Sequence, residues 1–142
     1  MATYNKFQDF SEQLVRGIHD WDTHTFKVAL TNTAPVATNT ILADITQISG
    51  TNGYTTGGNA TTITVSETTG TTTVDGTQVV FTASGGSMGP FRYYVLYNDT
   101  ATSPADALIA WWDHGSAVTL ADTETFTVKF SNATPGAIFT LA

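Results

Sequence analysis

The hydrophobic and polar positions along most of this chain alternate with a period of two, which is typical of half-buried β-strands. In residues 23–31, Phe26, Val28 and Leu30 alternate with polar or small positions. Similar runs predict strands at residues 62–67, 78–84, 91–98, 107–115, 116–120, 125–131 and 137–141. Short strands at this spacing favour a mainly β fold, either an antiparallel β-sandwich or a jelly-roll-like, partly closed barrel.

The start of the chain follows a helical pattern instead. Phe7, Phe10, Leu14 and Ile18 are spaced three or four residues apart, which places them on one face of an amphipathic helix. This N-terminal α-helix would pack over one end of the sheet or barrel, or dock onto a neighbouring subunit. The predicted organisation is a single β-domain, 1–142, with the helix and an arm in 1–22 and the β-sandwich in 23–142.

The stretch "FRYYVLYN" is apolar on both of its predicted faces, and "LIAWWD" shares this property. Such strands are typical of the middle of a sheet that is covered on both sides. One face would meet the opposite sheet and the other the N-terminal helix. The alternative is an exposed aromatic platform that stacks on sugar rings, with Asp113 and His114 at the strand end. Arg92 would pair with an acid such as Asp113 or reach a subunit interface.

The intervening segments are polar and rich in turn residues. Ser49–Thr62 is a long Gly, Asn and Thr loop, and a loop of this length is usually functional or ordered by a partner. Asp75-Gly76 fits a tight turn, and Glu67–Thr73 fits an exposed hairpin end. "HGS" at His114 separates two predicted strands, and "TILADITQI" fits either a short helix or an irregular connection.

Composition narrows the function classes. Charged residues are 12% of the chain, threonine supplies 29 of the 142 residues, and the net charge is −7 with only five Lys and Arg. Nucleic acid binding needs clustered cations, so nucleic acid is not an expected partner, and neither is an anionic membrane. The absence of cysteine excludes disulfides and thiolate chemistry. We also find no signal peptide and no stretch long enough for a membrane span.

No catalytic or metal-binding constellation is strong. Asp20, Asp22 and His24 could gather a metal, but their spacing matches no strong ligand motif. "GYTTGGN" lacks the lysine of a phosphate loop, and "TASGGSMG" lacks the pattern of a serine nucleophile. We therefore predict no enzyme activity, no cofactor and no metal.

Five segments carry a resemblance that covers nearly the whole chain: "MATYNKFQDFSEQLVRGIHDW", "KVALTNTAPVATNTILADITQISGTNGYTTGGN", "FTASGGSMGPFRYYVLYNDTA", "LIAWWDHGSAVTLADTETFTVKFS" and "FTLA". They resemble a family of small virion structural proteins of tailed bacteriophages. The resemblance implies a capsid decoration, or cement, protein that is made in the host cytoplasm, lies on the capsid surface and binds the major capsid protein. It carries no catalytic residues.

A decoration protein of this kind would act as a homo-oligomer, a trimer first and a dimer second. Its loosely held parts would dock on the lattice. They are the N-terminal arm and the long loop, and the predicted partner-binding residues are Tyr4, Lys6, Thr51, Asn52, Gly53, Tyr54, Gly57 and Gly58. The alternative function is a tail or baseplate module that recognises host-surface glycan.

Overall fold

The computed structural model describes residues 2–131 and 136–142. The strands are β1 (Thr3–Lys6), β2 (Phe26–Thr31), β3 (Asn59–Thr61), β4 (Ile63–Thr68), β5 (Thr71–Gly76), β6 (Val79–Thr82), β7 (Met88–Asn98), β8 (Leu108–Leu120), β9 (Thr125–Val128) and β10 (Gly136–Leu141). One α-helix, α1 (Phe10–Val15), and a 3-10 turn, Leu42–Asp44, complete the secondary structure. The ambiguous "TILADITQI" segment is therefore a short helical turn within an irregular connection.

The strands form a sandwich-like arrangement of antiparallel sheets, which confirms the predicted fold class. One sheet has five strands in the order β1-β8-β7-β2-β3. A three-stranded sheet, β10-β5-β4, and a two-stranded sheet, β6-β9, contribute the opposing side chains. No closed barrel forms within the described ranges.

The aromatic strand β7 lies in the interior of the five-stranded sheet, between β8 and β2. Phe91, Tyr94 and Leu96 join the main core with Trp112, and all four are at most 4% exposed. Tyr94 and Trp112 stack with ring centroids 5.5 Å apart. The prediction of a covered central strand is confirmed, and the alternative of an exposed platform is wrong for these rings.

The second face of this sheet carries a smaller core. Val95 and Tyr97 pack there with Phe7, which precedes α1, and with Leu42 from the 3-10 turn. Phe7 and the irregular segment that contains Leu42 and Ile45 therefore cover this face of the sheet. The sequence predicts the N-terminal helix in this place, and that prediction is wrong. Phe10 of α1 packs in the main core instead, against the ring of Phe139 on β10.

The helix is shorter than its hydrophobic pattern predicts. Phe7 lies outside it because its N–H donates to Ile109 O and its ring packs on the opposite face of the sheet from Phe10. At the other end, Gly17 has φ +75° and donates to Leu14 O, while Ile18 donates to Gln13 O. This pair of hydrogen bonds is the Schellman ending, which stops the helix before Ile18.

Two predicted turns are wrong. Asp75 pairs with Thr64 on β4 and with Ala137 on β10, so Asp75-Gly76 lies inside β5. The hairpin turn falls at Thr69-Gly70 instead, within the predicted exposed hairpin end. "HGS" is not a break between two strands either, because β8 continues through it as a bulge.

Candidate functional site

The most irregular point of the five-stranded sheet is a bulge in β8. Tyr93 pairs with Asp113 and Phe91 pairs with Val118, so residues 114–117 of β8 face a single residue of β7, Arg92. Gly115 has φ +100°, and nothing lies within 4 Å of the position that a Cβ would take. Bulges of this kind bend a strand and redirect side chains, and they are common beside functional sites.

The predicted partnership of Arg92 and Asp113 is confirmed, and it holds the bulge in place. Arg92 Nε donates to Asp113 Oδ1 at 2.8 Å and an Arg92 terminal nitrogen donates to Oδ2 at 3.0 Å. Asp113 Oδ1 also accepts the Gly115 N–H at 2.7 Å. These bonds lower the pKa of Asp113, and the bond from Arg92 has the largest effect. The carboxylate therefore stays ionised at neutral pH.

A cleft of about 470 Å³ opens beside this bulge. Its walls come from the bulge, from β1 and from the segment that contains β9. The lining residues are Ala2, Thr3, Tyr94, Asp113, His114, Gly115, Phe126, Thr127 and Lys129. This volume lies in the range of small-molecule sites, and the lining combines aromatic rings with hydroxyl, carboxylate, imidazole and ammonium groups. The arrangement suits binding, since Arg92 already engages the only carboxylate that lines the cleft.

The predicted N-terminal partner residues lie on β1, at the edge of the five-stranded sheet. Tyr4 pairs with Trp112 and packs edge-on against its ring at 5.7 Å, while Lys6 pairs with Ala110. Lys6 is exposed and its ammonium donates to Ser11 Oγ at 2.6 Å. Residues 3–6 are thus a paired strand, and the expectation of a loosely held arm is wrong for them.

The predicted docking loop is also held by the fold. Tyr54 is 2% exposed, accepts the Leu30 N–H and donates to Gln47 Oε1. The carbonyl of Gly57 accepts the Tyr97 hydroxyl at 2.7 Å, and a Cβ on Gly58 would lie 1.7 Å from Val28 O. Tyr54 is therefore a core residue whose ring cannot contact a partner, which corrects its assignment.

The other predicted residues of this loop lie nearer the surface. Thr51 and Gly53 are exposed, and Asn52 is half-buried with its side chain donating to Ser87 O at 2.9 Å. The loop also contains β3, so Ser49–Thr62 is not without secondary structure. Tyr54 and β3 thus anchor this segment to the folded body, although Thr55, Thr56 and Ala60 are exposed as well as Thr51 and Gly53.

Two of the three residues weighed as metal ligands, Asp20 and His24, have other partners. The Asp20 carboxylate caps its own turn by accepting the backbone N–H groups of Asp22 and Thr23. His24 Nδ1 lies 2.9 Å from the side-chain nitrogen of Asn98. Among the described residues, no group of three or more His, Asp or Glu side chains is placed to hold a metal ion.

A second exposed feature is the hairpin of β4 and β5. Residues 64–68 of β4 are exposed, and within the described ranges β4 pairs with β5 alone. Val65 is 42% exposed and Leu141, at the end of β10, is 59% exposed. The β4 edge therefore offers backbone groups without a partner strand and the exposed side chain of Val65, with Glu67 as the only charge on the strand, while Leu141 lies on the opposite edge strand of this sheet.

Several cleft residues were missed by sequence analysis. The sequence predicts Tyr94 only as part of an aromatic strand, either in the core or on an exposed platform, and Phe126, Thr127 and Lys129 only as part of an ordinary strand. One signal was present, because an interior glycine in a long apolar strand, as at Gly115, often marks a bulge.

The bulge cleft and the β4 edge are both built from strands. No helix in the described part of the chain has the length and apolar character to cross a membrane. Within the described residues, the bulge cleft combines aromatic and polar groups, and the β4 edge has backbone groups without a partner strand. Comparison with known proteins gives no match, whether to a family model, to a curated protein or to a solved structure.

Proposed function

We propose that this chain is a structural virion protein of a tailed phage, a capsid decoration protein that binds the assembled major capsid lattice and stabilises it. The resemblance of its sequence to small phage virion proteins supports this role. The observation that carries it in the structure is the free edge of β4, with the exposed Val65 on the same strand.

An exposed edge strand is a template for pairing with another chain, since its outward N–H and C=O groups lack partners. Proteins that avoid such pairing place charges or prolines on the edge. The sequence of β4, "ITVSET", has a single charge and no proline. A strand or loop of the capsid protein added to β4 would satisfy these groups and cover Val65.

The role also fits the surface chemistry. A decoration protein binds the assembled shell better than free subunits, so it adds stability by mass action, and many weak copies together reinforce the lattice. A low-charge, threonine-rich surface limits other contacts during assembly. We propose a homotrimer as the free or docked state, with a dimer as the second choice, because closed symmetry is the rule for homo-oligomers.

The test is co-sedimentation of purified protein with phage particles that lack it, followed by a heat challenge. Wild-type protein should sediment at many copies per particle and raise the disruption temperature of the particles. Val65→Asp should weaken this binding at least tenfold, whereas Val80→Asp is the matched control, since Val80 is 50% exposed on β6. Thermal unfolding of both variants shows that each still folds.

Two results would count against the proposal. Wild-type protein that stays in the supernatant at high concentration refutes the capsid role, and labelling at the tail tip would replace it with the tail or baseplate alternative. Equal binding by the Val65→Asp and Val80→Asp variants refutes the β4 edge as the docking surface.

A further inference from the structure

The cleft beside the β8 bulge contains a cation without a partner. The other side-chain cations of the chain are engaged: Arg16 with Glu12, Lys27 with Asp99, Arg92 with Asp113, and Lys6 with the Ser11 hydroxyl. Lys129 makes no ion pair or hydrogen bond to any of the described residues. In a chain of net charge −7, an unpaired ammonium on a cleft wall is a site for an anionic group.

The hydroxyl of Tyr94 is a second cleft group without a hydrogen-bond partner among the described residues. Its residue is 4% exposed and its ring is fixed between Trp112 and Phe126, yet the side chain lines the cleft. The hydroxyl makes no hydrogen bond within residues 2–131 and 136–142, and it is not among the polar atoms cut off from solvent. Burial raises the pKa of Tyr94 to about 12, so the phenol stays neutral and can donate its proton in a hydrogen bond.

The remaining lining offers an apolar surface with polar groups around it. Phe126 is half-buried, and His114 packs edge-on against it with ring centroids 5.2 Å apart. Asp113 is neutralised by Arg92, and after the bonds from Arg92 and Gly115 its Oδ2 keeps one lone pair for a hydroxyl donor. Thr3 and Thr127 also line the cleft. An aromatic face, neutral donors and a carboxylate acceptor are the groups that recognise a sugar ring and its hydroxyls.

We propose that this cleft binds a short acidic saccharide. The carboxylate of the sugar would pair with Lys129, its hydroxyls would bond to the Tyr94 hydroxyl and the Asp113 carboxylate, and its apolar face would lie on Phe126. This inference goes beyond the proposed capsid role and does not depend on it, because the cleft and the β4 edge use different residues. A decoration protein with such a site would display saccharide-binding groups on the outside of the particle.

The chemistry distinguishes this ligand from simpler ones. A small inorganic anion would use Lys129 without the ring or the phenol, and a neutral saccharide would gain nothing from the ammonium. A hydrogen bond to a charged partner contributes more than one between neutral groups. We therefore expect the acidic saccharide to bind at least tenfold more tightly than a neutral one of the same length.

The experiment is calorimetric or NMR titration of the full chain with tetragalacturonate, tetramannuronate, maltotetraose and inorganic phosphate at low ionic strength. We expect binding of at least one acidic tetrasaccharide that weakens with added salt. Lys129→Gln should reduce its affinity about tenfold or more, and Tyr94→Phe should reduce it several-fold. Lys6→Gln is the matched control, since Lys6 is an exposed lysine of β1 that does not line the cleft.

Each other outcome overturns the proposal or one of its parts. Failure of both acidic saccharides to bind at millimolar concentration refutes the site. Equal affinity for maltotetraose refutes the role of Lys129, and equal affinity for phosphate refutes the role of the ring. Equal losses in the Lys129→Gln and Lys6→Gln variants would show non-specific attraction to positive charge. Capsid binding by the same preparations is scored separately, so the two proposals fail independently.

Discussion

Replacing Tyr54 by Phe tests whether Ser49–Thr62, which the sequence predicts to be a docking loop, is part of the folded body. β3 pairs only with Phe26, Lys27 and Val28 of β2, so the backbone of Leu30 lies beyond its end. The Tyr54 hydroxyl accepts the Leu30 N–H at 3.1 Å, and the Leu30 carbonyl accepts the Ile48 N–H. Tyr54 therefore continues the hydrogen bonding of the sheet where β3 stops.

The substitution keeps the ring and removes two hydrogen bonds. It leaves the N–H of Leu30, a fully buried residue, without a partner, which costs about 1–3 kcal/mol. Gln47 Oε1 loses the hydroxyl donor but keeps the Gly57 N–H at 2.7 Å, so this loss adds only about 1 kcal/mol. We expect a decrease of about 2–4 kcal/mol in the free energy of unfolding.

Urea unfolding followed by tryptophan fluorescence measures this difference. With an m-value of about 2 kcal/mol/M, the midpoint should fall by about 1–2 M while the slope stays the same. Tyr94→Phe is the matched control, because it removes a tyrosine hydroxyl that has no partner among the described residues, and its midpoint should stay within about 0.3 M of wild type. Equal midpoints for the two variants would refute the assignment of Tyr54 as a structural hydrogen-bonding residue.

Three further predictions follow from positions in the core and the turns. Gly58→Ala should prevent stable folding, because φ is +75° and the Cβ would overlap Val28 O, whereas Gly70→Ala at φ +85° in open space should cost only about 1–2 kcal/mol; a comparison of Tm tests this. Trp112→Ala should cost about 3–5 kcal/mol in chemical unfolding, and Tyr93→Ala should cost clearly less because Tyr93 is only half-buried. Burial, with His24 nearby, lowers the pKa of His19 to about 4 from 6.5, so the unfolded chain binds more protons between these values. Stability should therefore be full above pH 6.5 and fall as the pH is lowered towards 4, and the urea midpoint of His19→Gln should change less between pH 7.5 and pH 5.

Alternation along the chain predicts β2, β7 and β8, the three inner strands of the five-stranded sheet, because their side chains alternate between two covered faces. It misses the short edge strands β1 and β3, which fall in the predicted arm and loop. It predicts α1 less well. Phe7 and Phe10 are spaced as if on one helical face, yet they bury against opposite faces of the sheet. Which of two cores an aromatic ring enters depends on tertiary packing, and residue spacing alone does not determine it.

The candidate sites show a similar division. The pairing of Arg92 with Asp113 follows from composition, since few partners exist for an arginine inside an apolar strand. Tyr54 was misassigned because the surrounding Gly, Asn and Thr residues resemble a mobile loop, although a single aromatic ring is enough to anchor it. The cleft lies between residues that are distant along the chain, such as Thr3 and Thr127, and no local pattern brings them together.

The pairing of β1 with β8 has a consequence for how the chain folds during synthesis. Thr3 pairs with Asp113, so β1 leaves the ribosome about a hundred residues before the strand that it pairs with. β5 can pair with β4 at once, but its second partner, β10, also comes much later in the chain. Folds dominated by such distant pairings form slowly, in milliseconds to seconds. Until β8 emerges, the N-terminal strand is an unpaired edge that is open to chaperones and to other nascent chains.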